Sequence, residues 1–481
     1  MRAPLINAQH ARSVIVRIVS RRALSAVVVA LALLAIPAAA GAAPLRVHWL
    51  RGVSAPGTPS HLNRVGVLEI GPARARNVLV LMPGTSAGGA YFVPLARWVV
   101  AQLPGWQVWS VERRENQLED QSVVDGTKLG RSSSTGAFNY YLGWLGGAKV
   151  SRHVHLLGTT EAPFAKRWGM AVTVGDLQRV IRAAKAQGGK VVLGGHSLGG
   201  SVVTAYATWN FGHGRPGAAD LAGLVYIDGS SFTVPESAAA ARAALVALSA
   251  RTRSPWLTFG GISAPFAGLF EVTGALGSLL DPNAPSVGQE FGPLPAALKP
   301  SVRVTNLAQY GYAQNVGTSP ASLVAAQAHL GRGVAAAGPV HGWDGRGALT
   351  PITRFAQMFA GAGVLGADGV EWYFPQRLTD DTAAVGNGLA NPAQAVLGVH
   401  TTLGRHLSHR LYLYAFGAAL GGARVLAATT ALAAQSGIPR SHLTLVNRAS
   451  TYAHNDPNGA YPHNAFFSGL VPFLKRVAAA R

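Results

Sequence analysis

The chain has 481 residues, 49% of them apolar, and carries a formal net charge of +21 with no cysteine. That length allows one large domain or two ordinary ones around a sizeable core. The missing cysteines exclude disulfides, thiolate metal sites, a cysteine nucleophile and a lipoprotein anchor, so stability must come from packing.

Arg2, Arg12, Arg17, Arg21 and Arg22 precede the apolar run ALSAVVVALALLAIPAAAGAA, which ends in small residues. This is the pattern of an export signal. Ala40 and Ala42 place cleavage after Ala42, and Ser20-Arg21-Arg22-Ala23-Leu24 looks like a twin-arginine signal; an ordinary secretory signal or an uncleaved anchor helix are the alternatives. The expectation is an exported chain, whether secreted, periplasmic or held at the cell envelope. Without those five arginines the charge is +16. A functional reading is weak contact with anionic envelope polymers or lipid headgroups; the preferred one is surface arginines that keep the protein soluble. With no basic run interleaved with aromatics, nucleic acid is not expected as a partner.

From Val65 the runs VGVLEI and NVLVLMPG read as strands, AYFVPLARWVVAQL as a helix and WQVWSVE as a strand, an alternation that implies a parallel sheet. Residues 117–169 form a Gly/Ser-rich, aromatic excursion with no clear pattern. In VTVGDLQRVIRAAKAQGG, residues Val174, Leu177, Val180, Ile181 and Ala184 share one helical face, and Gly188-Gly189 stops the helix. The strand KVVLGG, the small-residue helix GGSVVTAYATWNF and the strand LAGLVYIDG follow. From Phe232 to about Ser408 strand signals nearly vanish, and Ala-rich stretches such as PESAAAARAALVALSAR imply an inserted, mainly helical cap. RLYLYAF, a helix, HLTLVN and a closing helix AFFSGLVPFLKRVA complete the chain.

Gly195-His196-Ser197-Leu198-Gly199 is a G-x-S-x-G pattern lying between a strand and a helix. There the chain must turn sharply, and the hydroxyl of Ser197 projects from the turn as a nucleophile; a serine that merely caps the helix is the alternative. A nucleophilic serine needs a base and an oxyanion site. The backbone NH of Leu198 and that of Thr85, in the loop PGTSAGG, are the expected oxyanion donors, with Ser86 close behind Thr85. A base must sit on a loop after the last strand, where His454 and His463 qualify. His454, immediately beyond HLTLVNRAS, is preferred, and His463 is expected to cap or lie on the surface.

GHSLGG, PGTSAGG and YAHNDP, in this order along the chain, resemble the α/β-hydrolase superfamily over roughly Val65 to Asp228 and Arg410 to the C-terminus. The resemblance implies a mostly parallel, doubly wound sheet with an inserted helical cap, a Ser-His-acid triad, and no metal or organic cofactor. With the signal and the insertion read above, the chain divides into an export signal (1–42), a first core part (43–228), the cap (229–408) and a second core part (409–481). The superfamily's usual acid position, the loop after the penultimate strand (AFGAALGG), holds no carboxylate. Asp228, at the end of the strand next to the nucleophile strand, is the expected substitute; Asp380 and Asp381 are the next candidates, while Asp456 is expected to fix the His454 loop. Trp256, Phe259, Phe266, Phe270, Trp372, Tyr373 and Phe374 would roof the site or, taken one by one, fill the cap core, and VEWYFPQRL is expected beside the site.

The function expected is an exported serine hydrolase that cleaves apolar carboxylic esters through an acyl-enzyme. An acyltransferase using the same triad on envelope acceptors, and a non-catalytic binding protein on a hydrolase scaffold, are the rivals.

Overall fold

Strands buried on both faces must be apolar almost without a break, and NVLVLM, VVLGGH and GLVYI meet that demand. They form the middle of an eight-stranded sheet in a computed structural model that describes residues 43–212, 214–231 and 234–480. The expected export signal, residues 1–42, lies outside the described residues. The strands are β1 (Leu45–Arg51), β2 (Arg64–Ile70), β3 (Asn77–Met82), β4 (Trp106–Glu112), β5 (Val191–His196), β6 (Gly223–Ile227), β7 (Tyr412–Gly417) and β8 (Leu443–Asn447). They lie in the order 1-2-4-3-5-6-7-8. Strand β2 runs antiparallel to both its neighbours, and every other pair is parallel. The sequence reading missed β1, because its half-exposed residues alternate with arginine and histidine at the sheet edge.

The helices that position the site are α1 (Val93–Gln102), α2 (Met170–Lys185), α3 (Leu198–Thr208), α4 (Ala264–Leu280), α5 (Ile352–Ala360), α6 (Gly422–Gln435) and α7 (Ala465–Ala479). Val174, Leu177, Val180, Ile181 and Ala184 of α2 are all buried, as the spacing predicts. They share a core with Val78, Val80 and Met82 of β3, Val202 and Val203 of α3, and Val425 and Leu432 of α6. Side chains of alternate parity on a strand meet one face of the sheet. Under α2, Arg114 grips Asp176 through Nε at 2.9 Å and Nη2 at 2.7 Å, and both side chains are buried. Removing one member of such a pair costs about 3–5 kcal/mol, since the other is left as an uncompensated buried charge.

Between β6 and β7 the chain is mainly helical, with two-residue ribbons at Thr258–Phe259 and Gly333–Val334 as its small strands. This insertion has its own apolar core, in which Leu269, Val272, Tyr310, Phe355 and Trp372 pack with Tyr141 and Trp168 from the 117–169 stretch. That stretch contains two short helices, Ser122–Lys128 and Ser134–Tyr141, and is built into the insertion. Trp256, Phe266, Phe270, Trp372 and Tyr373 fill or pack against the same core, whereas Phe374 and Phe259 join the sheet core. Among the described residues, no helix is long and apolar enough to cross a membrane.

Candidate active site

At the end of β5 the chain reverses directly into α3. Ser197 occupies the turn with φ 56° and ψ −127°, and its side chain makes no capping hydrogen bond, so the helix-capping alternative fails. Left-handed φ is costly for a residue with a Cβ. The turn is held by Ser197 N–H donating to Ile227 O at 3.0 Å. Glycine is obligatory on either side: a Cβ on Gly195 would run into the backbone of Gly199, and one on Gly199 into the carbonyl of Met82. Of the four non-glycine residues with positive φ among those described, Ser86, Ser197 and Asp228 all belong to residues singled out by sequence.

Asp228 ends β6, next to the nucleophile strand. Its Oδ2 accepts a hydrogen bond from His454 Nδ1 at 2.7 Å, with both side chains almost fully buried. The loop after β7 holds no carboxylate. That loop turns its backbone toward Asp228: Ala418 N donates to Oδ1 at 2.6 Å, Gly421 N at 2.9 Å and Gly422 N at 3.1 Å, and Leu420 N donates to Oδ2 at 3.1 Å. Burial works to raise the Asp228 pKa, but the His454 hydrogen bond and charge, with the Ala418 and Gly422 N–H groups, outweigh it and hold the carboxyl below its ordinary value. The carboxylate thus stays ionised, and Nδ1 of His454 carries the proton it donates.

His454 is fixed from three further sides. The ring of His196, the residue before the serine, lies 4.3 Å from that of His454, and its Nε2 donates to the His454 carbonyl at 2.9 Å. Burial, then the charge of His454, push the His196 pKa down to about 3, so this imidazole is neutral. Tyr91 stacks on His196 and donates to Asn455 Oδ1 at 2.7 Å. Asp456 accepts from Ala453 N and from Thr350 Oγ1, each at 2.7 Å, and takes His329 Nδ1 of the insertion at 2.5 Å. Asp456 therefore fixes the loop as expected, and its hydrogen bond raises the His329 pKa. Asp380 bonds Gln376, and Asp381 is engaged by Arg377 and Met170 N, so neither is on His454. His463 is exposed, and the closing helix is capped by Asn464 instead.

The loop after β3 comes against the serine: a Cβ on Gly84 would sit 2.8 Å from Ser197 Cβ. Among the described residues, the N–H groups of Thr85, Ser86 and Leu198 donate no hydrogen bond. This loop rests on a residue that sequence reading passed over. Arg113, buried just past β4, donates through Nη1 to Pro83 O at 3.1 Å and through Nη2 to Gly84 O at 3.1 Å and Ala87 O at 2.9 Å. Its guanidinium lies over Phe374.

Around Arg113 lies a bed of buried carboxyls. Glu112 Oε2 accepts from Gly89 N at 2.8 Å, Glu371 N donates to Ser86 O at 2.9 Å, and Glu119 Oε1 accepts from Trp372 N at 2.6 Å. VEWYFPQRL thus does pack beside the loop. Burial pushes Glu112 up to about 8 and Asp368 up to about 6. Burial and then the charge of Glu112 raise Glu371 well above the carboxylate range. The run ERRE at the end of β4 was the signal available in the sequence, but its partners are contributed by the loop after β3, by α2 and, for Glu112, by Glu371 of the insertion. Among the described residues, no group of three or more His, Cys, Asp or Glu side chains could hold a metal ion.

No family model matches the chain, and neither does any curated protein. Solved structures do show likeness. A provisionally named lipase from Sulfolobus solfataricus is 12% identical, with 91% of this chain and 94% of that one covered at a TM-score of 0.46. An esterase from Thermogutta terrifontis is 13% identical, covering 90% and 99% at 0.37. The monoglyceride lipase of Saccharomyces cerevisiae is 11% identical, covering 92% and 98% at 0.37. Likeness this distant says nothing of activity. The strand order with one antiparallel member, and a serine elbow between β5 and the following helix, are the features on which the fold is assigned. By its own topology, then, this chain has the α/β-hydrolase fold.

Proposed function

We infer that the chain is a serine hydrolase acting on carboxylic esters, with Ser197, His454 and Asp228 as its triad. The observation that carries the reading is the 2.7 Å hydrogen bond from His454 Nδ1 to a carboxylate on the strand beside the elbow. In the proposed reaction Nε2 of His454 takes the Ser197 proton as Oγ attacks the ester carbonyl. Collapse of the tetrahedral intermediate expels the alcohol, which takes that proton from His454, and water then releases the acid by the same route reversed. Asp228 holds the tautomer and stabilises the imidazolium. The N–H groups of Leu198 and Thr85 would receive the developing oxyanion. An apolar acyl or alcohol group suits the apolar insertion, and the arginine-led apolar run at residues 1–42 supports export. No cofactor enters this scheme.

A fluorophosphonate probe tests it. The folded native chain should be labelled at Ser197, and Ser197→Ala should lose both labelling and esterase turnover. A folded native chain that is not labelled would leave a binding protein as the better reading.

A further inference from the structure

Guanidinium groups drawn into this protein face carboxylates: Arg114 pairs with Asp176, Arg377 with Asp381, and Arg113 lies 3.8 Å from Glu115. Arg97 on α1 and Arg354 on α5 break the rule. Each has a buried Nε with no acceptor, as Arg113 has, but unlike Arg113 neither forms an ion pair among the described residues. Burial lowers the Arg354 pKa. The two arginines line one groove of about 520 Å³, whose walls also include Val93, Trp98, Gln357 and Tyr461, and no carboxylate.

The volume lies in the range of ligand sites, which pair an apolar wall with a few converging polar groups. Arg354 sits 5.7 Å from the Trp98 ring and 5.2 Å from that of Tyr461, and donates Nη2 to Pro94 O at 3.0 Å, so its position is fixed before any ligand arrives. Trp98 is itself stacked on Phe467 of α7. An excess of arginine in the chain accounts for exposed guanidiniums. It does not account for two half-buried ones converging without a counter-ion, because a desolvated charge is costly unless paired.

We propose that this groove binds an organic oxyanion: a phosphate or carboxylate held by Arg97 and Arg354, with its apolar body against Val93 and the two aromatic rings. Planar guanidiniums suit such groups because they can donate two parallel hydrogen bonds. The site uses neither Ser197 nor His454 and stands whatever their role.

Isothermal titration of the folded chain with phenyl phosphate and with benzoate is the test. Saturable binding of at least one probe is expected, weakened at least tenfold in Arg354→Met and in Arg97→Met, less so in Arg354→Lys, and unchanged in Ser197→Ala. Arg97→Met serves if the Arg354 variants do not fold. Flotation with phosphatidylglycerol vesicles separates the sources: retention that Arg97→Met abolishes assigns a lipid headgroup, and its absence alongside probe binding assigns a soluble ester or acid. No heat with either probe, or undiminished binding in Arg97→Met, overturns the proposal.

Discussion

At the scale of single residues, the decisive one is Asp228. Its Oδ1 is filled by three backbone N–H groups and its Oδ2 faces Leu420 N and His454. In Asp228→Asn the amide oxygen would keep the three donors, and the amide nitrogen would then face His454 Nδ1 and favour the wrong tautomer. On the triad reading, turnover should fall by about 10⁴-fold with little change in circular dichroism. Turnover within tenfold of the native chain would remove Asp228 from the mechanism. Because its pKa is depressed on folding, Asp228 contributes stability above the unfolded value of about 3.9, and that contribution is lost as pH falls through the lower folded value. Ser197 could be read from sequence because its glycines and flanking strand are local. His454 could be read because position after the last strand leaves few choices, and Asp228 by elimination. Arg113 could not, since the loop it grips and the glutamates around it meet only through the fold.

The element whose behaviour is most open to measurement is the segment after α5 that carries Asp368 and Glu371 against the loop after β3. Glu112 Oε1 and both carboxyl oxygens of Glu371 are buried without a hydrogen-bond donor, and burial raises both pKa values, that of Glu371 further through the charge of Glu112. Their folded pKa values are raised, so their contribution to stability is complete below about 4.3, the unfolded value, and is lost as pH rises through the folded values, for Glu112 about 8. The urea midpoint of the native chain should therefore fall between pH 5 and pH 8. In Glu371→Gln, whose amide can donate to Glu112 without titrating, the fall should be smaller; parallel pH profiles for the two proteins would show that the pair does not titrate in this window. Strands as elements were legible wherever burial on both faces makes an apolar run. Edge strand β1 was not, for its alternating charged residues mimic a surface loop. Helix α4 escaped for the opposite reason: APFAGLFEVTGALGSLL is apolar on nearly every side and so shows little periodicity.

Across the whole molecule, the insertion and the sheet are bound together at the points that matter for the site. His329 holds Asp456, Gln327 O receives Asn455 N, Asp381 receives Met170 N, and Glu371 N is bonded to Ser86 O. Unfolding in urea should accordingly give coincident transitions by far-ultraviolet circular dichroism and tryptophan fluorescence. Two separated transitions would mean that the insertion folds on its own. Loss and return of strand patterns in the sequence bracket the mainly helical chain between β6 and β7, but nothing local shows this interdependence, which consists of contacts between distant segments. Its consequence reaches the smallest scale. In a planar trans peptide the C=O and the N–H point in opposite directions. The guanidinium of Arg113 draws the Gly84 carbonyl one way at 3.1 Å, and so aims the Thr85 N–H the other way and sharpens its partial positive charge. On the proposed chemistry, the direction of an oxyanion donor is set by a cation that never meets substrate, and whose ion-pair partner, Glu115, lies two residues along the same segment.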